Sequence, residues 1–562
     1  MADLVFNLTP NLPVVDAPAP PRGRGRPKKK GGPSKHADPD AAPSADDPRP
    51  TIKVVQNDMA RIIDKSQRAL IAAERGIYQR DGLIVSVVEV AGKTAAGEEI
   101  MTKRVQERTD AALTVDFDCS AQFVKFDARS GGDTRTNPPK WIAEGLRDRG
   151  EFHFPLLVGV ISAPTLRADG SLLTTPGYDR KSGLLYDPAG VMFPAIPDRP
   201  TRDEAAAATD LLRDLVRTFP FVGASEAVML AAILTALIRR SLPAAPLFGF
   251  GAPTAGSGKS KLVDVVSTIA EGHEAAVLGQ GQSDEEFEKR LGAALLGAAS
   301  FIAIDNCVRP LSDELLCRML TQSKVQTRVL GQSKNPEMTS NAFVCATGNG
   351  LTLAGDMTRR AVICQIDAED ERPEARVFPY DPVEVAKARR PEFVAAALTI
   401  MRGFVVAGRP GVASLPVMGG FEAWTAAVRG SLVWVGMDDP FDSVAGIFDA
   451  DPIKNELFAV AEQWILALGH DHFSVAEVIE RASEKIENNS GNWARKNPAL
   501  FDALYAVAGD RREINAKRLG KWLAATKDKV INSKRFELWG RSEGIRHWIL
   551  SPVDKPIHLS FL

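Results

Sequence analysis

Residues 246–270 read PLFGFGAPTAGSGKSKLVDVVSTIA. The stretch 247–250 is apolar and strand-like, and 262–269 has helical spacing. Between them stands Gly256-Ser257-Gly258-Lys259-Ser260. Small residues there let backbone N–H groups face phosphate oxygens, and a helix N-terminus adds partial positive charge. In such a loop the lysine, here Lys259, reaches the β- and γ-phosphates, and the hydroxyl of Ser260 holds Mg²⁺. The pattern GxxxxGK[ST] has glycine where this chain has Pro253. Proline fixes φ and donates no hydrogen bond, so the start of the loop departs from the pattern. ATP and Mg²⁺ are the expected cofactors.

A phosphate-binding loop needs a carboxylate on a neighbouring strand to face the metal. About 45 residues on, FIAIDN closes an apolar run with Asp305, a Walker B pattern. Asn306 follows, where many ATPases have a glutamate. The base that activates water is therefore open among Asp305, Glu285 and Glu286. NAFVCATGNG reads as a further strand ending at Asn349, whose amide is placed to orient an attacking water. Arg359 and Arg360 precede the apolar strand 361–367, and an arginine beside such a loop stabilises transition-state charge in cis or from a neighbouring subunit. Between these lies a hairpin over 325–339, whose Arg328 and Lys334, with Lys324, are candidates to face nucleic-acid phosphates in a ring pore.

The 562 residues carry 69 Lys plus Arg against 71 Asp plus Glu. With 44% hydrophobic residues, disorder throughout and a uniformly basic coat protein are excluded. Cys119, Cys307, Cys317, Cys345 and Cys364 form no CxxC pair, so neither a zinc module nor a disulfide scaffold is expected. No signal peptide opens the chain, and the longest apolar run, 227–238, is too short to span a bilayer. A cytoplasmic protein without a membrane partner is expected.

Strands and helices alternate from 247 to 367, which indicates an α/β parallel sheet. Residues 1–50 lack the apolar content to bury a core and are expected to be disordered. Residues 52–198 read as an α+β accessory domain. It has a helix over 58–75, strands at 82–90, 113–117 and 154–161, a helix over 141–149 and a small β-meander near 163–188. The expected fold is α/β, with a P-loop NTPase core at 199–380. A helical region at 381–470 and a C-terminal winged helix at 471–562 follow.

Loop, Walker B, hairpin, Asn-tipped strand and arginines, in this order, resemble a superfamily 3 (AAA+-related) helicase. More closely, the chain resembles the helicase-like ATPases of phages, plasmids and integrated mobile elements. The likeness lies in APTLRADGSLLTTPGYDRKSGLLYDP, RRSLPAAPLFGFGAPTAGSGKS, FIAIDN, ATGNGLTLAGDMTRRAVICQID and GGFEAWTAAVRGSLVWVGMDDP, roughly 155–440. It implies a ring-shaped, hexameric motor moving on DNA during element replication. It also implies nucleotide roles for Lys259 and Ser260, a metal role for Asp305, a sensor at Asn349 and a finger at Arg359 or Arg360. Pro253 and Asn306 depart from the wider pattern. Some relatives carry a primase. Here Val115-Asp116-Phe117-Asp118 has the spacing of a two-metal site, but it reads better as a β-strand with exposed acids.

Both ends hold candidate DNA contacts. Seven basic and no acidic residues lie within 22–35, and the core Gly25-Arg26-Pro27, flanked by Arg24 and Lys28, looks like an AT-hook. Residues 511–541 carry ten basic and three acidic residues, with Lys517, Arg518, Lys521 and Arg535 as DNA-facing candidates. Single-stranded DNA in the pore and duplex at the tails are the expected partners. The alternative is an origin-binding or regulatory DNA-binding protein in which ATP switches assembly without helicase activity.

Overall fold

The computed structural model describes residues 47–93, 99–326, 336–449, 451–487, 493–542 and 544–553. The sheet expected from the alternation is present, with five strands, all parallel. Its strands are β1 (Leu247–Ala252), β2 (Val277–Gly279), β3 (Phe301–Asp305), β4 (Phe343–Asn349) and β5 (Ala361–Gln365). They lie in the order β2-β3-β4-β1-β5. Parallel neighbours need long crossovers. Three are built on helices: α1 (Lys259–Glu271) after β1, α2 (Asp284–Leu296) after β2, and α3 (Glu314–Thr321) after β3. Every residue of β1 is buried, because the sheet is covered on both faces. Strand β2 was not legible beforehand: it is a short edge with Val277 63% exposed.

Two further helices, α4 (Pro382–Ala388) and α5 (Arg390–Val406), pack against α1, and one hydrophobic core runs from Ala163 to Ile447. Trp424 is fully buried in it. Its indole N–H donates to Thr235 Oγ1 at 2.8 Å, and its ring meets Phe248 of β1 edge-on. Arg390, at the start of α5, is buried. It donates to the carbonyls of Ile269 (3.0 Å) and Ala270 (2.9 Å) at the end of α1, and to Ser162 Oγ (2.9 Å). Burial pushes its pKa down to about 10, so it stays charged at neutral pH.

Before the sheet, helices Met59–Ala72, Asp110–Ser120 and Lys140–Arg149 share a core with Thr51–Lys53 and Gln122–Asp127, and Gly132–Arg135 pairs with the latter at the edge. The expected strand at 113–117 is thus helix. Leu113, Asp116, Phe117 and Ser120 are buried at helical spacing, and Thr109 caps the first turn through Ala112 N–H at 3.2 Å. The alternation Val-Asp-Phe-Asp misleads because Asp116 is no surface acid: it is buried against Arg108 and Arg75. Of 154–161 only Gly159–Ile161 is strand, paired with Leu184–Tyr186. The expected meander is two separate small sheets. A hydroxyl joins this region to the hairpin Lys324–Gln326/Glu337–Thr339: Thr339 Oγ1 donates to Asp81 Oδ1 at 2.6 Å.

At the C-terminus, α6 (Pro452–Leu468), α7 (Val475–Ser483), α8 (Pro498–Ala508) and α9 (Ala516–Thr526) bury a second core. They pack on a sheet of Phe473–Ser474, Val530–Ile531, β6 (Lys534–Ser542) and β7 (Ile545–Pro552). Asn515 caps α9, accepting the N–H groups of Lys517 (3.0 Å) and Arg518 (3.1 Å). A ribbon, Lys485–Glu487 with Trp493–Arg495, stands between α7 and α8.

Candidate active site

The loop after β1 turns through two left-handed glycines, Gly256 (φ 74°) and Gly258 (φ 101°), a conformation other residues seldom adopt. Gly256 has no room for a side chain either: a β-carbon there would lie 2.9 Å from Cβ of Glu374. Pro253 costs the sheet nothing, since it follows the last paired residue. Gly251 and Ala252 already accept N–H groups from Ile366 and Gly350, both at 3.0 Å. Ser257 Oγ donates to the Thr254 carbonyl at 2.8 Å and fixes the turn. No side chain caps α1, so its leading N–H groups are available to an anion.

Lys259 opens α1 and donates to the Thr254 carbonyl at 3.0 Å. Burial lowers its pKa, and the charge of Asp305 opposes that shift. Ser260 is exposed at the same helix end. Asp305 ends β3, and β4 runs between β3 and β1. Thr347 of β4 ties down the end of β3: its hydroxyl donates to Asp305 Oδ1 at 2.6 Å and accepts the Asn306 N–H at 3.0 Å. Asn306 is itself left-handed (φ 52°), which asparagine tolerates better than most residues. The departure from the usual acid therefore coincides with a backbone requirement. Asn349 is exposed at the end of β4, in register with Ala252. Lys259, Ser260, Asp305 and Asn349 thus share the carboxyl edge of the sheet, where open α/β sheets bind ligands.

Thr347 and Asp264 were not found from sequence. Asp264 interrupts the apolar run 262–266 of α1, its carboxyl raised by burial and by the charge of Asp305 among its neighbours. That lone acid in an apolar run was the available signal. Glu286 is held at the start of α2 by the Gln282 N–H at 3.0 Å and by Arg290; the backbone bond, then Arg290, lowers its pKa. Glu285 pairs with Lys289 at 2.7 Å. Ser260 and Asp305 fit Mg²⁺, which binds through one or two protein ligands plus substrate phosphates. Among the described residues no cluster of three or more His, Cys, Asp or Glu could hold a metal.

The two arginines differ. Arg360 is turned inward, donating to the Cys317 carbonyl and Thr321 Oγ1, both at 2.6 Å, and pairing with Asp356. Arg359 also meets Asp356, but its side chain is 63% exposed. The turn Gly355–Arg359 that carries it is tied to α6, for Asp451 accepts the N–H groups of Gly355 (3.3 Å) and Ile453 (2.9 Å).

Of the candidate nucleic-acid contacts, Lys517 and Lys521 line an open groove of about 560 Å³ between α9 and β7, together with Arg546, which sequence reasoning missed. Arg518 donates to the Gly509 carbonyl at 2.6 Å, and Arg535 pairs with Glu537 at 2.5 Å. Lys324 pairs with Glu337 at 2.7 Å across its hairpin. Arg24, Arg26, Lys28, Arg328 and Lys334 lie outside the described residues. No helix among the described residues is long and apolar enough to cross a membrane.

No family model and no curated protein matches this chain. Among solved structures it is similar to the apo NrS-1 C-terminal region, at 10% identity and TM-score 0.36 over 86% of this chain and 99% of that one. It is similar to SCCmec type IV Cch, an active helicase, at 12% identity and TM-score 0.34 over 85% and 97%. It is similar to JCV helicase at 13% identity and TM-score 0.20 over 45% and 74%.

Proposed function

We propose that this protein is an ATP-dependent DNA helicase or translocase of the superfamily 3 kind, acting in the cytoplasm in replication of a phage, plasmid or integrated element. The observation that carries the reading is the meeting, at one sheet edge, of an uncapped helix start, a half-buried lysine and the carboxylate of Asp305. Gly256, Ser257 and Gly258 would cradle the phosphates, and Lys259 would neutralise them. Ser260 and Asp305 would hold Mg²⁺, which when bound neutralises charge on the transferred phosphoryl group. Asn349 would orient water. Arg359, exposed and unburdened by interior carbonyls, would reach a neighbour's site in a homo-hexamer, while Arg360 keeps its own turn in place.

The division 52–198, 199–380, 381–470 and 471–562 accompanies this reading, with the last unit a winged helix gripping duplex through Lys517 and Lys521. Arg518 and Arg535 would add charge to that face. Single-stranded DNA would run past Arg328 and Lys334 in the ring, and Arg24, Arg26 and Lys28 would hold an A·T minor groove. The test is strand displacement on forked DNA with ATP, read beside particle images. ATP-dependent unwinding by a ring is expected, with none from Lys259→Ala. Binding of ATP and DNA without hydrolysis would instead favour the switch-like binder.

Thr347→Val checks the site's second layer. Valine keeps the β-branched shape but removes the hydroxyl that joins Asp305 to Asn306. A fall in kcat of about 10- to 100-fold is expected, as for the loss of a group that orients a metal ligand. The thermal midpoint should hardly move. An unchanged kcat would remove Thr347 from the site.

A further inference from the structure

The hairpin of β6 and β7 is interrupted near its tip. Leu538 opposes Trp548, but Gly540 opposes His547, so Trp539 is the extra residue of a β-bulge. Bulges bend a strand and re-aim a side chain. Here the indole stacks on His472, ring centroids 3.7 Å apart and planes 9° apart. His472 in turn leans on His547, 5.4 Å away. Trp539 nevertheless remains 57% exposed, so the ring face away from His472 is open to solvent.

Beyond the bulge, Arg541 lies directly opposite Arg546 in the ladder, and both are exposed. Like charges facing each other across two strands destabilise the pair. A hairpin tip that displays an indole held flat from behind, beside two opposed guanidinium groups, is costly as a free surface. It suits a partner with flat π-faces and regularly spaced negative charge.

We propose that this tip is a base-stacking site for single-stranded nucleic acid. One unpaired base lies on the open face of Trp539, and the adjoining phosphates lie between Arg541 and Arg546. Duplex DNA away from its ends does not fit this chemistry, because its base faces are covered by one another and only its grooves and backbone are offered. The site adjoins the groove of Lys517 and Lys521, for Arg546 lines both, but the indole of Trp539 lies outside that groove. The inference rests on the reading of this chain as a DNA-binding protein, and it deepens that reading by naming the strand form the hairpin takes.

The test uses the full chain without nucleotide. Binding of a fluorescein-labelled oligothymidylate is followed by anisotropy, and that of duplex by competition with a relaxed, covalently closed circular duplex, for wild type, Trp539→Ala and Trp539→Phe. Trp539→Ala should weaken oligothymidylate binding by about 5- to 150-fold, the range for loss of one base–aromatic stack. Trp539→Phe should restore most of it, and duplex affinity should hold. Arg541→Ala should flatten the salt dependence of oligothymidylate binding. Equal losses on both ligands, or wild-type binding by Trp539→Ala, would overturn the proposal while leaving the motor reading intact. Failure of the wild type to bind either DNA would instead remove the DNA-binding reading itself.

Discussion

Lys259→Ala is expected to abolish ATP hydrolysis while the protein keeps its fold. Among the described residues the amine makes one hydrogen bond, to the Thr254 carbonyl, on the exposed side of the loop. Its removal opens no cavity, so the thermal midpoint should stay close to wild type. The effect on turnover is another matter. The ammonium interacts with the charge of Asp305, while burial lowers its pKa. It is therefore poised to gain from any phosphate that reaches the loop. Removing one preorganised charge or donor from a developing anion costs about 100- to 1,000-fold in kcat. Phosphate release, measured with and without DNA, gives the number. Turnover within a few-fold of wild type would refute the assignment of the loop.

The second large effect falls on stability. Arg429 has a side chain with no exposed surface and lies on the wide turn Thr425–Arg429, inside the main core. Asp439 holds it with both oxygens, at 2.7 and 2.6 Å, and the Pro416 carbonyl accepts a third bond at 2.6 Å. The ring of Phe441 covers the guanidinium at 4.6 Å. Asp439→Ala leaves a charge in the core without its counterion, and breaking a buried pair in this way costs about 3–5 kcal/mol. Such a loss is a large part of the stability of an ordinary domain. Urea unfolding followed by circular dichroism should show the midpoint falling sharply. A change within about 0.5 kcal/mol, as at a surface site, would mean the pair is hydrated and not structural.

What the sequence disclosed follows from distance along the chain. The strand, glycine loop and helix at 247–271 could be read because every signal lies within one short window. The same holds for the apolar runs of β3, β4 and β5. Strand order could not be read, since it depends on pairings between segments far apart, such as Ile302 with Val344. Thr347 was invisible for the same reason: its two partners lie 41 and 42 residues earlier. The helix Asp110–Ser120 was misread because Asp116 satisfies its charge with Arg108 inside the fold, and nothing local marks an acid as buried. Asn306 is the opposite case. Its oddity was visible, but only the left-handed backbone gave it a physical reason.

The anchorage of α1 has a mechanical consequence. At one end this helix bears the loop that would grasp an anion. At the other its last carbonyls are gripped by Arg390 and by Ser162, whose hydroxyl also reaches the Glu271 carbonyl at 3.0 Å. Thirteen residues of helix make a rod about 20 Å long. Its C-terminal partial charge is matched by a guanidinium, so its last turn resists fraying. A strut of this kind does not absorb a displacement within itself. Any shift at Lys259 is delivered to the far end, where Ser162 leads directly into the small sheet of Gly159–Ile161.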